Sequence, residues 1–136
     1  MSTEKTKQLI GSAPLLLVAD VTRAARYYHE KLGFSMPQLW GEPPCFAMPQ
    51  RDGLIVMLQE SADVRPNCAL GGDDNWGAYF WVADARSLFA EFQQRGAEIA
   101  HEPQKRPYYD MLEFAVRDGD GHVLAFGQHW PCGDGK

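Results

Sequence analysis

One half of this 136-residue chain repeats the pattern of the other. Val18-Ala19-Asp20 opens a stretch with helical spacing that closes at Gly33, and Val82-Ala83-Asp84 opens a second that closes at Gly96, so the copies begin 64 residues apart. Each is followed by an apolar run behind an Asp-Gly turn. In the first copy Asp52-Gly53 precedes Leu54 to Leu58, and in the second Asp120-Gly121 precedes His122 to Phe126. A period this long means two supersecondary units, neither of which buries its apolar face alone. Two such curved units set side by side leave a cleft, the usual seat of small-molecule binding.

Within each copy the same punctuation recurs. Leu15 to Val18 is a short apolar run, and Asp20 or Thr22 can cap the helix that follows. Ala24, Ala25, Tyr28 and Leu32 form its apolar face while Arg23, Arg26, Glu30 and Lys31 point elsewhere, and Gly33 supplies the left-handed stop. In the second copy Trp76 to Val82 reads as a strand. Asp84 then caps a helix whose stripe is Leu88, Phe89 and Phe92, ended by Gly96. Shorter strands are predicted at Ser35 to Leu39, Cys45 to Met48, Leu54 to Gln59, Glu98 to Ala100, Leu112 to Arg117 and His122 to Gly127. The order is β-α-β-β-β, twice. Residues 11–60 make one module, 61–75 a polar linker with Pro66, Gly71 and Gly72, and 76–130 the second module, all within one α+β domain. Residues 1–8 and 131–136 read as mobile ends.

Composition narrows the function classes. A hydrophobic content of 45% supports one good core. No apolar run approaches the roughly 20 residues that span a bilayer, and the start lacks a signal-peptide core, so no membrane partner and a cytoplasmic location are expected. The net charge is −5 and the 13 Lys and Arg residues form no basic block, which argues against nucleic acid. Cys45, Cys68 and Cys132 are an odd set without metal-ligand or redox spacing and read as reduced thiols.

The segments Leu17-Val18-Ala19-Asp20 through Tyr27-Tyr28 to Lys31-Leu32-Gly33-Phe34, and Glu113-Phe114-Ala115-Val116-Arg117-Asp118-Gly119-Asp120-Gly121-His122, resemble the V-x-D…FY…LGF and EF-x-V-x-DPDG patterns of the vicinal oxygen chelate superfamily. Gly119 stands where proline is usual. That superfamily groups glyoxalase I, extradiol dioxygenases, fosfomycin-resistance enzymes and bleomycin-resistance proteins. The resemblance covers about residues 11 to 128, and it implies paired β-α-β-β-β modules, an open U-shaped mixed sheet with a cleft, and assembly as a homodimer.

Metal-dependent members draw His or Glu from four positions, which fall here at Ala13, Met57, Gly77 and Ala125. None offers the oxygen or imidazole donor that a catalytic divalent ion needs. His29, His101, His122 and His129 have no ligand spacing to one another and read as surface histidines, with His101-Glu102 the pair to watch. No metal and no other cofactor is therefore expected. There is no nucleophile elbow and no phosphate loop. Glu113, between Leu112 and Phe114, is either an inward carboxylate able to act as general base or cation partner, or a solvated or ion-paired strand residue.

Aromatic and sulfur side chains make the positive statement. In the architecture that the resemblance implies, Trp40, Phe46, Trp76, Tyr108, Tyr109 and Met111 border the cleft, with Met57 and Glu113 beside them. Flat rings stack on planar or cationic ligands, although the same residues can fill a core or a dimer interface. Asp110 follows Tyr109 where relatives often have Gly, which leaves the direction of Tyr109 open. The resulting expectation is a metal-independent protein of the bleomycin-resistance type that sequesters a planar or cationic organic molecule in a dimer cleft. The alternatives are an enzyme and a module for dimerisation or regulation. The enzyme would be either a metal-dependent lyase or dioxygenase with ligands relocated to His101, Glu102 or Glu113, or a metal-free isomerase using Glu113.

Overall fold

The computed structural model describes residues 7–131; Cys132 and most of both predicted mobile ends lie outside them. Strand β1 (Leu15–Val18) leads into α1 (Val21–Leu32), and short strands β2 (Leu39–Trp40), β3 (Phe46–Ala47), β4 (Gln50–Arg51), β5 (Leu54–Ile55) and β6 (Met57–Glu60) complete the first module. After a one-turn helix α2 (Cys68–Gly71) the second module runs β7 (Ala78–Trp81), α3 (Ala85–Arg95), β8 (Glu98–Arg106), β9 (Met111–Arg117) and β10 (Val123–His129). The sheets are ordered β1-β6-β3-β2 and β7-β10-β9-β8, each with one parallel pair, and β4-β5 is a separate hairpin. This is the mixed α+β arrangement that the repeat predicts.

Both helices begin and end where the sequence marks them. Asp20 accepts from the Arg23 amide and Asp84 from the Ser87 amide, each satisfying a donor that the first turn cannot. Gly33 and Gly96 take φ of 74° and 85° and stop the helices in the left-handed region that glycine enters without steric cost. Helix α1 buries Val21, Ala24, Ala25, Tyr28 and Leu32. The inner faces of both sheets and both helices share one core. Each large apolar side chain buried there stabilises the fold by about 1.5–3 kcal/mol.

The strands depart from the sequence reading in three places. Leu54 to Gln59 is broken at Val56, where the chain leaves the β4-β5 hairpin, bonds Pro49 O through the Val56 amide, and joins β1 and β3. Ser35 to Gln38 form no strand, because the Ser35 amide and hydroxyl are spent on Gln50. The strand predicted at Glu98 to Ala100 runs on through His101, Glu102 and Pro103. β8 carries on through two register shifts to Arg106 and tolerates Pro103 as an edge strand, where a missing N–H breaks no ladder.

The motif residues turn out to clasp the modules together. The Tyr28 hydroxyl donates to Asp118 Oδ2 at 2.8 Å, Tyr27 to Arg117 O at 2.7 Å, and the Ala19 amide to Asp120 Oδ1 at 2.9 Å. His122, expected at the surface, is only 4% exposed, with Nε2 2.6 Å from Leu17 O. Its place in the clasp is what buries it. Among the described residues, no helix is long and apolar enough to cross a membrane.

Candidate functional site

Alternation along β9 sorts its side chains between two faces. Leu112, Phe114 and Val116 enter the shared core, where Phe114 meets Phe89 and Phe92 of α3 edge-on. Met111, Glu113 and Ala115 take the opposite, open face of the second sheet. On that face β7 contributes Tyr79 and Trp81, with Trp76 just ahead of the strand. The rings form a ladder, Trp76 to Tyr79 at 4.8 Å and Tyr79 to Trp81 at 5.4 Å between centroids. With Tyr109 and Met111 they line an open hollow of about 550 Å³.

Glu113 lies behind these lining residues and ties two of them together. It is fully buried, and Oε1 accepts from the hydroxyls of Tyr79 and Tyr109, each at 2.9 Å. Oε2 accepts from Arg106 Nε at 3.0 Å, and the same guanidinium reaches Asp74 of the linker at 3.0 Å. A second linker acid, Asp73, pairs with Arg117 at 2.5 Å, so the segment before Trp76 is tied down beside the hollow. Burial, then hydrogen bonding to Glu113, raises both phenols above the ordinary tyrosine value. They are held as donors. A carboxylate accepting from two phenols and a guanidinium has its lone pairs committed, which suits it to shaping a surface rather than to taking a proton from a ligand.

The structure therefore brings Trp76, Tyr109, Met111 and Glu113 together, as the sequence reading grouped them. Tyr108 does not join them: it is 87% exposed and touches Tyr109 edge-on at 4.9 Å. Trp40, Phe46 and Met57 share the open face of the first sheet, where Trp40 pairs with Phe46, Phe46 with Gln59, and Met57 with Leu15. They line no part of the hollow on the second sheet. Tyr79, Trp81 and Arg106 were not singled out from the sequence. Period-two spacing within the predicted strand 76–82 already placed Tyr79 and Trp81 on one face, whereas Arg106 becomes legible only through the register of the bulged strand β8. Asp110 takes φ 55° and ψ 48°, the left-handed conformation that glycine would adopt, so Tyr109 is aimed as it would be beside glycine.

The four positions at which metal-dependent relatives carry ligands hold Ala13, Met57 at the start of β6, Gly77 and the buried Ala125 of β10. Among the described residues, no three His, Cys, Asp or Glu side chains converge as a metal site, and this donor set does not fit a catalytic divalent ion. His101 is half-buried, with Nδ1 3.1 Å from Glu102 O and Nε2 without a partner. His29 binds Phe34 O at 2.7 Å, and His129 is exposed at the end of β10.

Two β-α-β-β-β units that share one core, and that each leave the outer face of their sheet open, define a paired-module α+β fold built around exposed sheet surfaces. The chain belongs to the Glyoxalase/Bleomycin resistance protein/Dioxygenase superfamily, which its residues 12–126 match. Among solved structures it is similar to TioX from Micromonospora sp. ML1, with a TM-score of 0.67, 24% identity, and 88% of this chain and 98% of that one covered. It is also similar to the bleomycin-binding protein of bleomycin-producing Streptomyces verticillus complexed with copper(II)-bleomycin, with a TM-score of 0.63, 20% identity and coverage of 89% and 97%. A glyoxalase-related enzyme from Clostridium phytofermentans aligns with a TM-score of 0.72 at 12% identity, covering 93% and 99%. No curated protein matches the sequence. At these identities the likeness carries the fold, and function rests on the site.

Proposed function

We propose that this protein binds a planar or cationic organic molecule against the aromatic face of its second sheet and releases it unchanged, without a metal. The observation that carries this reading is the Trp76-Tyr79-Trp81 ladder standing open above a carboxylate that is already saturated. Such a surface offers ring stacking and cation–π attraction but no free base or nucleophile. The structural likeness to a protein that holds copper(II)-bleomycin supports the ligand class. The saturation of Glu113 weighs against a metal-free isomerase, and the donor-poor ligand positions weigh against a metal-dependent lyase or dioxygenase.

In this reading the working form is a homodimer. The open face of the first sheet leaves Leu15 55% and Trp40 47% exposed beside Phe46 and Met57. That face, laid over the aromatic ladder of a second copy, closes a cleft lined by both chains. Apolar faces left in water on both sheets favour such closure.

Tryptophan fluorescence titrated with copper(II)-bleomycin and with the planar cation ethidium tests the proposal, together with mass analysis of the recovered ligand. Saturable quenching that is lost in Trp76→Ala, with ligand mass unchanged, is the expected result. A new product that disappears in Glu113→Gln moves the protein to the enzymes.

A further inference from the structure

A second cavity lies on the other side of the same sheet, where the two modules meet. It has a volume of about 330 Å³ and a floor of Phe34, Phe80, Phe92 and Phe126. These rings are mutually packed, with Phe80 stacked on Phe126 at 5.1 Å and Phe92 edge-on to Phe126 at 5.2 Å. One wall is the β4-β5 hairpin, with Asp52 and Leu54, and the other is the first half of α3, with Asp84, Ser87, Leu88 and Glu91. Two large apolar residues stand at its mouth in water: Leu54 is 50% exposed and Trp81 76%. Phe80 and Phe126 belong to the core side of the sheet and Tyr79 to the outer side, so the floor is separate from the aromatic hollow. Trp81 is the one residue that lines both.

The charges at the mouth select the ligand. Asp52, Asp84 and Glu91 line the mouth with one cation, Arg51, while Arg95 from outside the cavity holds Glu91 at 2.7 Å and leaves the two aspartates as the acidic rim, Asp52 3.7 Å from Arg51 Nε. The Arg51 guanidinium is engaged already. Nη1 donates to Leu32 O at 2.8 Å and to Glu91 at 2.9 Å, and Nη2 donates to Glu91 at 2.8 Å. Two amides at the start of α3 are spoken for as well, Ser87 N by Asp84 and Ala85 N by Gln128 Oε1. An anion entering here finds carboxylates, with the Ser87 hydroxyl as a neutral donor and no free cation. An ammonium finds Asp52 and Asp84 at the rim and ring faces below, one of which Arg51 already uses, its Cζ 5.9 Å from the centre of Phe92. A void of about 150 Å³ holds one benzene, so this cavity has room for an aromatic ring and a short tether.

We propose that this junction pocket is a second ligand site, which takes a primary amine carried on an aromatic or branched apolar body. Apolar burial against Phe80, Leu54 and Leu88, over the edges of the buried Phe34, Phe92 and Phe126, supplies the affinity, and the acidic rim supplies discrimination by charge. The site stands apart from the aromatic hollow, and its occupant need not be the hollow's ligand.

The test uses 2-phenylethylamine as probe and 3-phenylpropionate as its anionic counterpart of similar shape, read by NMR at the Leu54 and Leu88 methyls and the Trp81 and Trp76 indoles. The amine is expected to move Leu54, Leu88 and Trp81 saturably, leave Trp76 in place, and bind at least tenfold tighter than the acid. Ser87→Trp, at an exposed position on the wall, is expected to abolish the shifts. Asp52→Asn, which keeps a residue tolerant of the left-handed turn, is expected to weaken binding roughly threefold. Equal affinity for the acid, non-saturating shifts, shifts centred on Trp76, or unchanged binding in Ser87→Trp would each overturn the proposal. So would Leu54 and Leu88 shifts that follow protein concentration without amine, because a second copy would then fill the pocket.

Discussion

The ring of Tyr79 lies against Gly127, and a methyl group added to that glycine would stand 2.7 Å from the tyrosine Cζ and closer still to its hydroxyl. Tyr79 starts on β7, crosses β10 at the one residue without a side chain, and reaches Glu113 on β9. Gly127→Ala is therefore expected to lift the ring and cost the carboxylate one of its donors. A destabilisation of about 2 kcal/mol follows from the strain and the unsatisfied acceptor. Urea unfolding measures it, and a neutral result removes the crossing from the account of the site.

Arg106 is the cation that accompanies the buried Glu113. Removing one partner of a buried pair leaves an uncompensated charge, so Arg106→Met is expected to destabilise the chain by about 3 kcal/mol. It also frees Asp74, the linker acid that the same guanidinium holds. Faster proteolysis within the linker 61–75, at a temperature where the fold is intact, separates loss of the tether from global unfolding.

The phenols of Tyr79 and Tyr109 are raised above the ordinary 10.0, first by burial and next by their hydrogen bonds to Glu113. The unfolded chain gives up these protons at lower pH than the folded one. Their contribution is thus complete below about pH 10 and is lost as the pH climbs through the raised folded values. Denaturation midpoints are expected to fall on the alkaline side. In Glu113→Gln, ultraviolet titration is expected to show phenols that ionise earlier than in the parent but still late, because burial remains.

Asp110 sits at φ 55°, where a β-branched side chain collides with its own backbone. Asp110→Val is expected to cost about 1–2 kcal/mol and to swing Tyr109 off Glu113. Asp110→Gly is expected to preserve the turn. Thermal unfolding of the pair, with the Tyr109 phenol followed by NMR, reads both effects.

What the sequence shows well is local. Asp20, Asp84, Gly33 and Gly96 bound both helices through contacts within a few residues, and the alternation around Glu113 shows that Leu112 and Phe114 face away from it. What it hides depends on register between distant strands. Tyr79 is 34 residues from Glu113, and Arg106 reaches that carboxylate from a strand whose two irregularities no spacing rule foretells. His122 was misjudged for a related reason: a histidine in a tight turn looks solvated until the other module closes over it. Trp40, Phe46 and Met57 lie on the open face of the first sheet, apart from the hollow of the second sheet, and spacing alone does not tell which face of which sheet a ring takes.

The clasp formed by Tyr27, Tyr28 and the turn from Asp118 to His122 has a consequence for the origin of the chain. Each half supplies groups that only the other half satisfies, and the inner faces of both sheets drain into one core. A single module would keep α1 on its sheet but lose the partners of Tyr27, Tyr28 and the Ala19 amide, which the other half supplies. The present protein carries that other half on the same strand of peptide, joined through residues 61–75, which makes folding of either half independent of protein concentration.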